Sequence, residues 1–217
     1  MIRAVLFDLD GTLFDRDSTV AALVEAQHAL FNQELAHVAK ADFVARVVLL
    51  DEHGYRNKAE VYATVAGEFH LPPALAPELV ADFWRRYHAF CRPSHDLVAT
   101  LGELRRRGKK IGVVTNGRQV TQEGTIDALG IRDFLDVVLV SEVEGVRKPD
   151  RRIFERAVAR LGVGPSECCY VGDHPEVDVS GARAAGLHAI WKRTTYWGVP
   201  AESVPVIENL GEVLLHT

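Results

Sequence analysis

The amino-acid sequence predicts an α/β fold: a doubly wound parallel sheet with a small all-helical domain inserted after the first strand. Three observations carry this expectation. Short, nearly continuous apolar runs occur at residues 2–7 and recur from residue 111 onward, as expected of strands covered on both faces. Helical stretches between the later runs are each stopped by a glycine: Gly108, Gly130, Gly162 and Gly186. From about residue 14 to residue 93 the alternation gives way to helical spacing alone.

Residues 2–7 are the first strand, closed by Asp8-Leu9-Asp10-Gly11-Thr12. In the inserted segment, Val20, Leu23, Val24, Leu30 and Phe31 form one apolar stripe, opened by Asp17 or Ser18 as a cap. Leu79, Val80, Phe83, Trp84 and Tyr87 form a second, and both stripes read as packing faces. Pro72, Pro73 and Pro77 mark turns inside the insert, and Pro93 marks the return to the core. Leu97, Leu101 and Leu104 then define a helix, followed by a strand at 111–114, a helix from about Gln119 and a strand at 137–140. A helix at 153–161, a strand at 168–171, a helix around 182–185 and a last clear strand at 187–191 complete the pattern. The expected domains are residues 1–13 with 94–217, and residues 14–93. Trp191, Tyr196 and Trp197 read as core.

Composition narrows the function classes. The 217 residues are 47% hydrophobic and 25% charged, the balance of an ordinary globular protein. A net charge of -5 and a pI of about 6.0 argue against general affinity for nucleic acid or an anionic membrane. The one basic run, Arg105, Arg106, Arg107, Lys109 and Lys110, falls at a helix end, where it complements the dipole and stays solvated. Cys91, Cys168 and Cys169 lack metal-type spacing and read as reduced thiols, which fits a cytoplasmic protein. The N-terminus does not read as a signal peptide, and no segment approaches the roughly 20 apolar residues of a membrane span. The expected partner is a small molecule, and the expected state a monomer or homodimer.

Four places carry chemistry, each just after a predicted strand or before a predicted helix. Asp8 and Asp10, two apart on extended chain, point to the same side while Leu9 turns inward. Two such acids repel and are costly to desolvate unless something binds them, although turn-forming aspartates look similar. Val113-Val114-Thr115-Asn116-Gly117 offers neutral donors at a strand end. Arg147-Lys148-Pro149-Asp150 offers a fixed cation, or an ordinary solvated helix start. Val171-Gly172-Asp173-His174-Pro175-Glu176-Val177-Asp178 places two further acids after a strand, and hard oxygen ligands of this kind suit magnesium. His174 reads as a loop side chain, since an oxygen-rich site needs no imidazole.

Taken in order, DLDGT, VVTNG, RKPD and GDHPEVD resemble the motifs of the haloacid dehalogenase-like hydrolase superfamily, in its phosphatase branch. The resemblance spans the Rossmann-like core, and the helical insert is similar to that family's small cap domain. It implies a phosphoric monoester hydrolase using Mg2+, with Asp8 as nucleophile and Asp10 as general acid/base. Thr115 and Lys148 would hold the transferring phosphoryl group, and Thr12, Asn116 and Gly117 would bind substrate. Asp8, the Asp10 carbonyl and Asp173 would hold the metal, with Asp178 supporting. The expected substrate is a small phosphorylated metabolite, a nucleotide or a sugar or glycolate phosphate. Arg16, Arg46, Arg56 and His53 of the insert are candidates to meet its leaving group. The alternatives are a 2-haloacid dehalogenase or another enzyme on the same fold, and a catalytically silent binding module; Asp10 counts against the dehalogenase.

Overall fold

All four residues of β1 (Ala4–Phe7) are buried, and the sheet is built outward from this strand on both sides. The computed structural model describes residues 1–217 in two units, Met1–Asp15 with Pro93–Thr217, and Arg16–Arg92.

In the first unit, β1 is joined by β2 (Lys110–Thr115), β3 (Val137–Val140), β4 (Cys168–Gly172), β5 (His188–Lys192) and β6 (Val206–Ile207). The order is β3-β2-β1-β4-β5-β6, and every neighbouring pair runs parallel. Phe7 lies opposite Val113 on one side and Val171 on the other. The residues that follow these strands therefore emerge at one end of the sheet, the end where parallel α/β sheets bind ligands. Helices α5 (Leu97–Arg106), α6 (Gln119–Ala128), α7 (Ser141–Glu144), α8 (Arg151–Leu161) and α9 (Gly181–Ala184) connect the strands. Ile153, Phe154, Ala157 and Leu161 of α8 pack with Ala4, Leu6, Val114, Leu139 and Tyr170 in one continuous core.

The second unit is built of four helices: α1 (Arg16–Leu30), α2 (Lys40–Asp51), α3 (Lys58–Glu68) and α4 (Leu75–Phe90). Val20, Leu23, Val24, Phe43, Val47, Val61, Leu79 and Phe83 are buried in it. Its interior also encloses polar groups, and each is bonded, as burial demands. Gln27 donates to the Leu79 carbonyl at 2.8 Å and to Asp82 Oδ2 at 3.2 Å, and accepts from the Tyr62 hydroxyl. Asp51, at the end of α2, is gripped by Arg16 and Lys58. The turn after it runs through three left-handed residues, Glu52, His53 and Gly54. Only glycine fits the last, because a Cβ there would lie 2.8 Å from the Arg16 guanidinium carbon.

Several sequence-based expectations need correction. α1 begins at Arg16, so Asp17 and Ser18 lie in its first turn rather than capping it. Leu30 and Trp84, assigned to buried stripes by spacing, are exposed. The helix expected at 182–185 is the end of a longer turn that begins as a π-helix at Pro175–Ser180. The strand at 187–191 is not the last, since β6 pairs beyond it. The basic run stays at the surface as expected, with Arg105 paired with Asp136 and with Arg106 and Arg107 paired with Glu103. All three cysteines are buried and free, and burial pushes the Cys169 thiol up to about 11. No helix is long and apolar enough to cross a membrane.

Candidate active site

Asp8 follows β1 directly, and its amide donates to the Val171 carbonyl at 2.9 Å, so strand pairing carries on to the residue itself. Thr115 is the last residue of β2, and Asp173 follows the last residue of β4. Lys148 reaches the same place from the loop before α8. Its ammonium carries three hydrogens and finds three acceptors: Asp8 Oδ1 at 2.6 Å, Asp178 Oδ1 at 2.6 Å and the Tyr170 hydroxyl at 2.8 Å. Tyr170 in turn donates to the Val114 carbonyl at 3.0 Å. Asn116 holds the Lys148 backbone from both directions, donating to its carbonyl at 3.0 Å and accepting from its amide at 2.9 Å.

Asp8, Asp173 and Asp178 are all buried, and each brings one carboxylate oxygen to within 4.8 Å of the others. Burial raises the Asp8 carboxyl well above the usual range, Lys148 opposes this, and Asp178 and Asp173 add to it. Asp173 is pushed up to about 7, first by burial and then by Asp178. Burial works against the Lys148 charge, yet Asp178 and Asp8 outweigh it and hold the amine protonated. Three carboxylates facing one ammonium are an under-compensated, all-oxygen donor set, and these residues fit a hard divalent cation.

Glycines make the packing possible at two points. A Cβ on Gly11, which has φ +76°, would sit 2.6 Å from Asp173 Oδ2 and 2.9 Å from the Tyr196 hydroxyl. A Cβ on Gly172 would sit 2.5 Å from the Asp178 carboxyl carbon. Asp178 Oδ2 accepts from the His174 amide at 3.0 Å. The His174 ring caps the π-helical turn, with Nδ1 accepting from the Glu176 and Val177 amides at 3.2 Å each, and it packs against Trp197. Burial lowers its pKa.

Asp8, Thr115, Lys148, Asp173 and Asp178 thus converge, with Asp10 linked to Thr115 through a residue the motifs did not name. Gln122 Nε2 lies 2.7 Å from Asp10 Oδ2 and 2.6 Å from Thr115 Oγ1. The expected substrate ligands fall differently. Thr12 is fully buried and its Oγ1 finds no hydrogen-bond partner. The Gly117 amide donates to Ser141 Oγ at 3.0 Å, and Asn116 is committed to Lys148 as described.

Tyr170, Gln122, Tyr196 and Trp197 were missed. Tyr196 and Trp197 are not core: Tyr196 is exposed, Trp197 is half-buried, and both donate to Asp173 Oδ2 at 3.0 Å. Trp191 is buried as expected, and its indole donates to the Asp173 carbonyl at 2.7 Å. A signal existed for Gln122, a polar residue on the buried face of α6 beside Thr125 and Ile126. The four insert candidates all engage groups within the helical unit: Arg16 with Asp51, Arg46 with Glu68, Arg56 with Thr64, and His53 with Asp17.

A family model described as haloacid dehalogenase-like hydrolase matches residues 2–186. The chain is 35% identical over 201 residues to a glyceraldehyde 3-phosphate phosphatase of Methanopyrus kandleri, covering 86% of this chain and 82% of that one. Among solved structures, a HAD phosphatase from Thermococcus onnurineus is similar at TM-score 0.69 and 27% identity, covering 99% of this chain and 97% of that one. A 2-haloacid dehalogenase from Pseudomonas syringae pv. Tomato DC3000 is similar at TM-score 0.65 and 26% identity, with coverage of 99% and 97%.

Proposed function

Since the chain belongs to the haloacid dehalogenase-like hydrolases, we propose that it is a magnesium-dependent phosphatase of small phosphorylated metabolites, working through an aspartyl-phosphate on Asp8. The observation that carries this reading is the meeting of Asp8, Thr115, Lys148 and Asp173 at one end of the sheet, with Asp10 held beside them. The phosphatase of Methanopyrus kandleri supports a small sugar phosphate or a similar monoester as substrate.

Asp8 attacks phosphorus in line while Lys148 fixes its Oδ1 and carries positive charge toward the phosphoryl oxygens. Thr115 accepts from Gln122, so its own hydroxyl proton is left to donate to a phosphoryl oxygen. Asp10 protonates the departing oxygen, then takes a proton from the water that hydrolyses the aspartyl-phosphate. Asp178 and Tyr170 hold Lys148 in place, and Asn116 holds its backbone. Asp8, the Asp10 carbonyl and Asp173 would hold magnesium, which when bound supplies the positive charge that offsets these carboxylates and the phosphate dianion. A dehalogenase reading is disfavoured by Asp10, since halide displacement has no leaving oxygen to protonate.

A phosphate-release screen over phosphorylated metabolites, with 2-haloacids alongside, tests the reading. The expected result is release from small monoesters in magnesium, silence after EDTA and recovery on adding magnesium. Asp8→Asn should lower turnover by roughly 10⁴–10⁶-fold while staying folded, with the circular dichroism spectrum of the wild type. Halide release without phosphate release, or full turnover by Asp8→Asn, would overturn it.

A further inference from the structure

We propose that Gln122 is a positioning residue that holds the Asp10 carboxyl in line with the leaving oxygen; this rests on the acid/base role proposed for Asp10. Gln122 is buried on α6, at 3% exposure, where an amide is costly unless every polar atom is bonded. Its Nε2 reaches Asp10 Oδ2 at 2.7 Å, Thr115 Oγ1 at 2.6 Å and, more distantly, the Asn116 carbonyl at 3.3 Å. The carboxylate and the carbonyl only accept, so the amide nitrogen rather than its oxygen must face them. Its two hydrogens go to the two short contacts, which fix the plane of the carboxamide between Asp10 and Thr115.

The chemistry of an amide suits this place. Asp10 gives up a proton in one step and recovers it in the next, and a neutral N–H can donate to either form of the carboxyl. The backbone is shaped around the amide as well. Gly117 has φ +150°, and a Cβ there would lie 3.0 Å from Gln122 Cδ and 3.1 Å from its Cγ. A side chain at 117 would push the carboxamide off its two acceptors.

The test compares kcat/KM, which reports formation of the aspartyl-phosphate, across monoesters whose leaving groups range from 4-nitrophenol to simple alcohols. Nitrophenolate departs without a proton and an alkoxide does not, so loss of Asp10 alignment should depend on the leaving group. Gln122→Met in magnesium should lose about 10²-fold on alkyl phosphates. On 4-nitrophenyl phosphate it should lose clearly less, only the part owed to its contact with Thr115, with unchanged circular dichroism. Gln122→Glu keeps the size and replaces the donor with an acceptor; it should show the same selective loss, and it carries the test if the methionine variant fails to fold. A loss equal on all esters marks a packing defect and overturns the inference, as does wild-type kcat/KM throughout. Asp10→Asn, run on the same series, separates the two readings. If its loss is flat across leaving groups, Asp10 is not the acid and the proposed mechanism itself falls. If its loss is steep while the Gln122 variants are flat, only the role of Gln122 falls.

Discussion

Tyr196 and Trp197 act on a single atom, Asp173 Oδ2, and Trp191 holds the same residue by its carbonyl. Donors of this kind fix which oxygen of a ligating carboxylate is turned inward and how strongly it binds. Tyr196→Phe and Trp197→Phe should each weaken magnesium binding by about 10-fold or more, as measured by calorimetric titration. Unchanged affinity in both variants would remove these side chains from any role at the metal. At this scale the sequence was partly legible. Asp8, Asp10, Thr115, Lys148 and Asp173 stand out because acids and a hydroxyl sit at the ends of apolar runs and a cation precedes a helix. Gln122, Tyr170, Tyr196 and Trp197 do not, because an isolated polar or aromatic residue names no partner. Gln122 and Asp10 are 112 residues apart. Asn116 was legible as a site residue but not in its role, since only the fold shows that its carboxamide braces Lys148.

Among the elements, α1, α2 and α3 are tied together by Asp51, buried between Arg16 and Lys58. Burial alone would raise its carboxyl, but the two cations more than reverse this and lower it. A depressed carboxyl stabilises the fold above its unfolded value of about 4 and loses that contribution as pH falls through the folded value. The melting temperature of the helical unit should therefore drop as pH is taken below about 4. Asp51→Ala should cost roughly 3–5 kcal/mol at neutral pH, because two buried cations lose their partner, and should flatten that acid limb. Thermal melts of both chains from pH 3 to pH 7 check it; parallel curves would sink the idea. Strands β1 to β5 were readable because short runs of largely buried apolar residues leave a clear trace. β6 was not, since Val206–Ile207 is too short for any periodicity and Val206 is exposed. The π-helical turn escaped for a related reason: His174 caps it with a ring nitrogen, outside the usual capping residues.

Over the whole molecule, the proposed function makes stability depend on the cation. A magnesium ion held by Asp8 and Asp173 would bind the native chain and find no such site in the unfolded one, so at a hundredfold excess over Kd it should add about 2.7 kcal/mol. The melting temperature should rise by roughly 5–10 °C in magnesium, and Asp173→Asn should lose most of that rise. Scanning calorimetry with and without EDTA decides it; an unshifted transition in wild type would argue against the site. The position of β1 has a consequence of another kind. Of the six strands of the sheet it is made before the others and ends up inside it, and its partner β4 is made about 160 residues later. At ~5–20 residues per second, the hydrophobic segment preceding Asp8 waits roughly ten to thirty seconds for its second neighbour. Nascent chains stalled before β4 should therefore be inert and prone to chaperone capture or aggregation, and catalysis should appear only once Asp173 and Asp178, just beyond that strand, are also translated.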